Sequence, residues 1–299
     1  MTNGNTGNPE PPVADAEAGQ MGKCALCNTE NTILKESHSI PKFVFDWMKE
    51  TSKTGYLRDG DDVNYRQQDG PKEYLLCGAC EGDLSKSENQ LSAKCFKKIA
   101  NYQKQQSAIT VTEEMRVAVL SIFWRALLTV RTRSNNREPV DDLLLDEFLA
   151  NAKAQIRANH CQFTIYITPF VGNPPYYGLD STLTYNLERG SGGQDARFFD
   201  DPHRAFITLK IPFIYFYIFI GVWPSAEVAK ATEFSIGHLQ LDTIRDIPTP
   251  LKDYINHQQQ HFESLKLQIS ASSRQQILDA AVKNPNITGS DKSLMRSKK

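Results

Sequence analysis

The 299 residues balance 34 lysines and arginines against 35 aspartates and glutamates, a formal net charge of −1, with 40% apolar and 23% charged residues. Those fractions belong to an ordinary soluble protein, long enough for one large or two modest domains. A charge this close to zero argues against a nucleic-acid binder unless the charge is segregated along the chain.

Met1 to Gln20 is built from Asn, Gly, Pro and acidic residues. It lacks the basic start and apolar run of a signal peptide, so a disordered tail is expected, and no lipidation signal is visible. The expected setting is the reducing cytoplasm. There, Cys24-Ala25-Leu26-Cys27 and Cys77-Gly78-Ala79-Cys80 read as metal ligands rather than disulfides. Each pair puts two thiolates on one knuckle, and two knuckles complete a tetrahedral structural zinc site with Zn–S bonds of about 2.3 Å. Cys95 and Cys161 lie among apolar neighbours and read as packed thiols.

Between the knuckles, Gly22 to Phe43 reads as knuckle and extended strand, and Phe43 to Thr51 as a short amphipathic helix after Pro41. Ser52 to Lys72 is a polar loop. Glu73 to Leu76 is a short strand delivering Cys77, and a helix is expected from Glu81, with Leu84, Leu91 and Cys95 on one face. Thr110-Val111-Thr112-Glu113 has capping-box spacing for a buried helix to about Arg133. Pro139, Asp141 and Asp142 open another, to about Asn159. A strand is expected over Phe163 to Ile167, and a flexible turn over Gly190 to Gly193, which lacks the Gly-Lys-Ser/Thr ending of a phosphate loop. Phe206 to Trp223 is strongly apolar. Its uncharged part is shorter than the ~20 residues of a spanning helix, so two adjacent buried strands fit better and no membrane partner is expected. Pro250 to Lys283 reads as helical and Gln-rich, and Arg296-Ser297-Lys298-Lys299 as a loose basic end.

The stretch Cys24-x2-Cys27, Ser37-His38-Ser39-Ile40-Pro41-Lys42-Phe43, Leu75-Leu76-Cys77-x2-Cys80-Glu81 resembles the HNH endonuclease superfamily over about Gly22 to Ile99. The resemblance implies a treble-clef, ββα-metal domain over residues 21–100. An α+β domain over 101–285 and a basic tail over 286–299 would follow. It also implies metal-dependent hydrolysis of DNA phosphodiester bonds, with phage defence or mobile-element biology as the setting. By the same resemblance His38 is the general base. A histidine beside a zinc knuckle is equally read as a structural donor or a zinc ligand. Where many family members carry an acid before this histidine, the chain has Ser37, a poor ligand for a hard ion. Glu81, with Glu36 or Glu88 as helpers, is the candidate ligand set for a catalytic Mg2+, Mn2+ or Ni2+. An acid in the first turn of a helix is favoured by the helix dipole alone, so Glu81 also has a structural reading.

Charge is segregated after this stretch. Lys94, Lys97, Lys98, Lys104, Arg116, Arg125, Arg131, Arg133 and Arg137 stand against Glu113 and Glu114. Of these, Lys94, Lys97, Lys98, Lys104, Arg131 and Arg133 are the candidate nucleic-acid contacts. They read equally as a solvated face balancing acids elsewhere, with Arg125 as a buried partner. His257 and His261 have i, i+4 spacing but no acid between them, and read as surface residues. The sequence thus supports a divergent HNH-type nuclease, with a homodimer as one arrangement, or a zinc-stapled nucleic-acid or protein adaptor without catalysis.

Overall fold

The computed structural model describes residues 19–60, 62–133 and 137–298. The expected N-terminal tail falls almost wholly outside them. The fold is mixed α+β with antiparallel sheets.

The cysteine-bearing part is a small antiparallel sheet backed by helices. Strand β1 (Gln20–Gly22) pairs with β2 (Thr32–His38), followed by helix α1 (Lys42–Glu50). The polar loop holds a two-residue ladder, β3 (Leu57–Arg58) with β4 (Arg66–Gln67). Strand β5 (Lys72–Cys77) returns antiparallel to β2, giving the order β1-β2-β5. Helix α2 (Gly78–Leu91) starts directly at the second knuckle, three residues earlier than expected, and continues through a π turn (Ser92–Phe96) into α3 (Lys97–Ile99). Apolar spacing decides how these pieces dock. In α1, Val44, Phe45 and Trp47 are buried. The Trp47 indole N–H donates to the Ala100 carbonyl at 2.9 Å, while its ring meets Phe96 edge-on.

Beyond it, β6 (Ala108–Val111) precedes α4 (Glu113–Arg133) and α5 (Pro139–Arg157). Thr110 therefore sits in a strand rather than capping a helix. Its strand pairs with β11 (Gly237–Gln240), far along the chain. Nearly every residue of α4 from Met115 to Leu127 is buried, as its all-round apolar pattern requires. The larger sheet has the order β7-β10-β9-β8, all antiparallel. Its strands are β7 (Tyr166–Pro169), β8 (Gly192–Phe199), β9 (Arg204–Ile211) and β10 (Ile214–Ile220), with α6 (Thr184–Arg189) between the first two. The two buried strands expected in the apolar run are β9 and β10. Of the glycines read as a turn, Gly190 follows α6, and Gly192 and Gly193 open β8.

Lys210 interrupts that run without leaving the core. Its ammonium donates to the carbonyls of Leu187 (2.6 Å) and Ile211 (2.7 Å). Burial pulls its pKa well below the usual value, and the charge of Glu188 opposes that only in part. The chain closes with α7 (Ser225–Val228), α8 (Thr249–Leu267), α9 (Ala271–Lys283) and α10 (Gly289–Arg296). The basic end is thus helical up to Arg296. One hydrophobic cluster runs from Cys24 to Ile255 through both parts of the chain. No helix among the described residues is long and apolar enough to cross a membrane.

Candidate metal centre

The first knuckle is a tight turn. Asn28 N–H donates to the Cys24 carbonyl (2.9 Å) and Cys24 N–H to Thr29 (3.0 Å), with Asn28 in the left-handed region at φ 65°. The second knuckle is the junction of β5 and α2. The two are laced together because Ala25 N–H donates to the Leu75 carbonyl (2.8 Å) and the Cys77 amide points at Cys24 Sγ (3.3 Å). As a result the four Sγ atoms of Cys24, Cys27, Cys77 and Cys80 lie within 4.8 Å of one another. Cys27 and Cys77 are 3.8 Å apart, and a tetrahedron with Zn–S bonds of about 2.3 Å has an edge of about 3.8 Å. Four thiolates in this arrangement suit zinc and not a hard ion. The quartet is able to hold a zinc ion.

As free thiols Cys27 and Cys80 differ. Hydrogen bonds from the Thr29 hydroxyl and amide bring Cys27 down to about 6, whereas burial, then the neighbouring cysteines, pushes Cys80 up. The other two cysteines are packed, as expected. Cys95 and Cys161 are buried, and burial raises Cys161 to about 11.

His38 ends β2, with its ring partly shielded by Phe45 at 5.8 Å between centroids. Its acidic neighbour is Asp69, in the polar loop before β5. His38 Nε2 lies 2.7 Å from Asp69 Oδ1, although the N–H direction is off the line to the oxygen. Gly70 makes this approach feasible, since a Cβ there would sit 2.1 Å from the Phe45 ring. Burial works to raise the Asp69 carboxyl, but His38 beside it, the Gly70 amide and the Lys72 ammonium hold it below its usual value. Lys72 joins Asp69 (3.3 Å) to Glu36 (3.2 Å).

Of the remaining candidates, Glu88 and Ser37 have their own partners. Glu88 is held by Arg125, a 2%-exposed residue of α4 that also donates to the His38 carbonyl at 3.0 Å. Ser37 is buried, and its hydroxyl donates to the Lys35 carbonyl at 3.1 Å. Glu81 stands in the first turn of α2 beside Cys80, and its Oε1 is buried without a hydrogen-bond partner. Among the described residues, the cysteine quartet is the one group of three or more His, Cys, Asp and Glu side chains close enough to share an ion.

Lys94 in the π turn, Lys97 and Lys98 in α3 and Lys104 in the loop after it are all exposed. Arg131 instead pairs with Asp146 (2.8 Å) and Asp142 (3.5 Å). The side chain of Arg133 lies outside the described residues. His257 and His261 are exposed on α8. Sequence reasoning missed Asp69, and its one local signal was Asp-Gly, a turn dipeptide, just before a strand. Compared with known protein families, with curated proteins and with solved structures, the chain matches none.

Proposed function

We propose that residues 21–100 form a treble-clef, HNH-type module that hydrolyses phosphodiester bonds in DNA, with zinc on the four cysteines as a structural staple. The observation that carries this reading is the place of His38. It ends a strand whose partner strand runs into the second knuckle, and an aspartate touches its Nε2 at 2.7 Å. In this reading the aspartate positions the ring and the imidazole takes a proton from water. The sequence resemblance assigns that role to the same residue. Exposed lysines 94, 97, 98 and 104 supply a surface along which a phosphate backbone would lie.

Of the candidate ligands for a catalytic divalent ion, Glu81 alone keeps a buried carboxylate oxygen without a hydrogen-bond partner, too few donors for a hard ion. Glu88 is committed to Arg125 and Glu36 to Lys72, and Ser37 turns its hydroxyl to the backbone. Cutting in this reading is compared under Mg2+, Mn2+ and Ni2+. These commitments favour a second reading, a zinc-stapled adaptor that binds nucleic acid or protein without cutting. Incubating supercoiled plasmid with the zinc-loaded chain and each ion separates the two. Cutting by the wild type that disappears in a folded His38→Ala variant supports the nuclease. Binding without cutting under every ion supports the adaptor.

A further inference from the structure

Helix α10 is seated almost wholly by polar contacts. Its buried residues are Gly289 and Ser293, while Leu294 and Met295 are 47% and 61% exposed. Helix α8, by contrast, buries Leu251, Tyr254 and Ile255. The contacts of α10 gather at two places.

At the first, the Tyr102 hydroxyl and Ser293 Oγ are 2.6 Å apart, and Ser293 Oγ donates to Glu188 Oε2 at 2.6 Å. Arg296 Nε lies 3.3 Å from Glu188 Oε1, and its guanidinium also donates to the Gly172 carbonyl and the Tyr176 hydroxyl. Glu188 itself is fully buried in α6. At the second place α10 grips the end of α1. Ser290 N–H donates to the Thr51 carbonyl (2.9 Å), and Asp291 pairs with Lys53 (2.8 Å). Gly289 lies so close that a Cβ there would be 2.8 Å from Thr51 Cβ. Thr51 closes α1 by donating from its N–H and hydroxyl to the Trp47 carbonyl, at 3.0 and 2.7 Å. Arg189, next to Glu188, donates to Thr51 Oγ1 (2.9 Å) and to the Met48 carbonyl (2.8 Å).

We propose that α10 is a strap that undocks as a unit and, when docked, fixes the C-terminal end of α1 to α6. A helix held by hydrogen bonds with no large apolar side chain buried belongs to the low-stability end of a fold. Undocking also leaves Glu188 with company. The Tyr176 hydroxyl stays at 2.7 Å, and the Lys210 ammonium lies within its field. Docked and undocked forms are therefore both open to the chain, and anything that favours one shifts the order of α1. The inference stands independently of the phosphodiester reading.

Hydrogen exchange on the full zinc-loaded chain tests it, comparing wild type, Ser293→Ala and Asp291→Asn. In the wild type, amides of residues 291–298 exchange at least about tenfold faster than those of 251–255. Both variants raise exchange in 291–298 and in 47–54 together, by about threefold or more, and leave α5 unchanged. Acceleration of 291–298 with 47–54 unmoved overturns the coupling. Wild-type protection of 291–298 equal to that of 251–255 overturns the strap. Asp291 is 46% exposed, so its variant keeps the test alive if Ser293→Ala fails to fold.

Discussion

The small sheet beside the cysteines and the large aromatic sheet contrast in how they are held. Strands β2 and β5 bury Leu34, Ser37, Leu76 and Cys77, and their outer residues face water. Strands β9 and β10 bury Phe206, Ile207, Leu209, Ile211, Ile214, Tyr215, Phe216 and Tyr217. A three-stranded sheet with so few large apolar groups removes little surface from water, and the four clustered thiols offer a metal-binding staple to supplement it. The large sheet needs no such staple.

The sharpest way to break the contrast is to remove zinc. A structural zinc contributes about 10–16 kcal/mol of apparent binding free energy. Chelation or Cys77→Ser is therefore expected to unfold residues 19–100 while β7 to β10 persist. Far-UV and near-UV circular dichroism with zinc analysis reads this, and an unchanged N-terminal part after zinc loss would refute it. The reverse experiment is Phe216→Ala, which opens a cavity in the large sheet and costs about 3–5 kcal/mol. Denaturant unfolding should report that loss with zinc content intact.

Arg125 tests the seam between the regions. It reaches from α4 to Glu88 on α2 and to the carbonyl of His38 on β2. Arg125→Ala leaves a carboxylate without its cation and costs about 3 kcal/mol. Arg125→Ala with Glu88→Ala should recover part of it, and full additivity in that double-mutant cycle would show that the pair is not coupled.

Asp69 gives the smallest effect and the most specific sign. Its carboxyl in the folded chain lies below the ordinary 3.8. A depressed carboxyl contributes stability that is fully present above the unfolded value and lost as pH falls through the folded one. Asp69→Asn should thus cost about 1 kcal/mol near neutral pH and about nothing near pH 2. A cost independent of pH would assign the contact to packing.

Much of this arrangement was legible in the residues because covalent spacing or periodicity encodes it. Two C-x2-C pairs bring thiolates together whatever the loop between them does, and the apolar run of β9 and β10 declares burial on both faces. Contacts between segments far apart in sequence were not legible. Asp69 meets His38 only because Gly70 lies flat on Phe45, and β6 and β11, four residues each, are too short to show a period. Gly192-Gly193-Gln194-Asp195 carries turn residues, yet its strand is recruited by β9. Helix α10 has no apolar stripe to announce it, because hydroxyl, amide and charged groups hold it. The site was half visible for the same reason: ligands that share a knuckle can be counted, whereas the partner of a lone histidine depends on the fold.

Zinc-edge X-ray absorption on the purified chain tests the central claim, that the four cysteines clamp one ion. The account predicts one zinc per chain with four sulfur ligands at about 2.3 Å. Absence of stoichiometric zinc, or a shell containing nitrogen or oxygen, would contradict it.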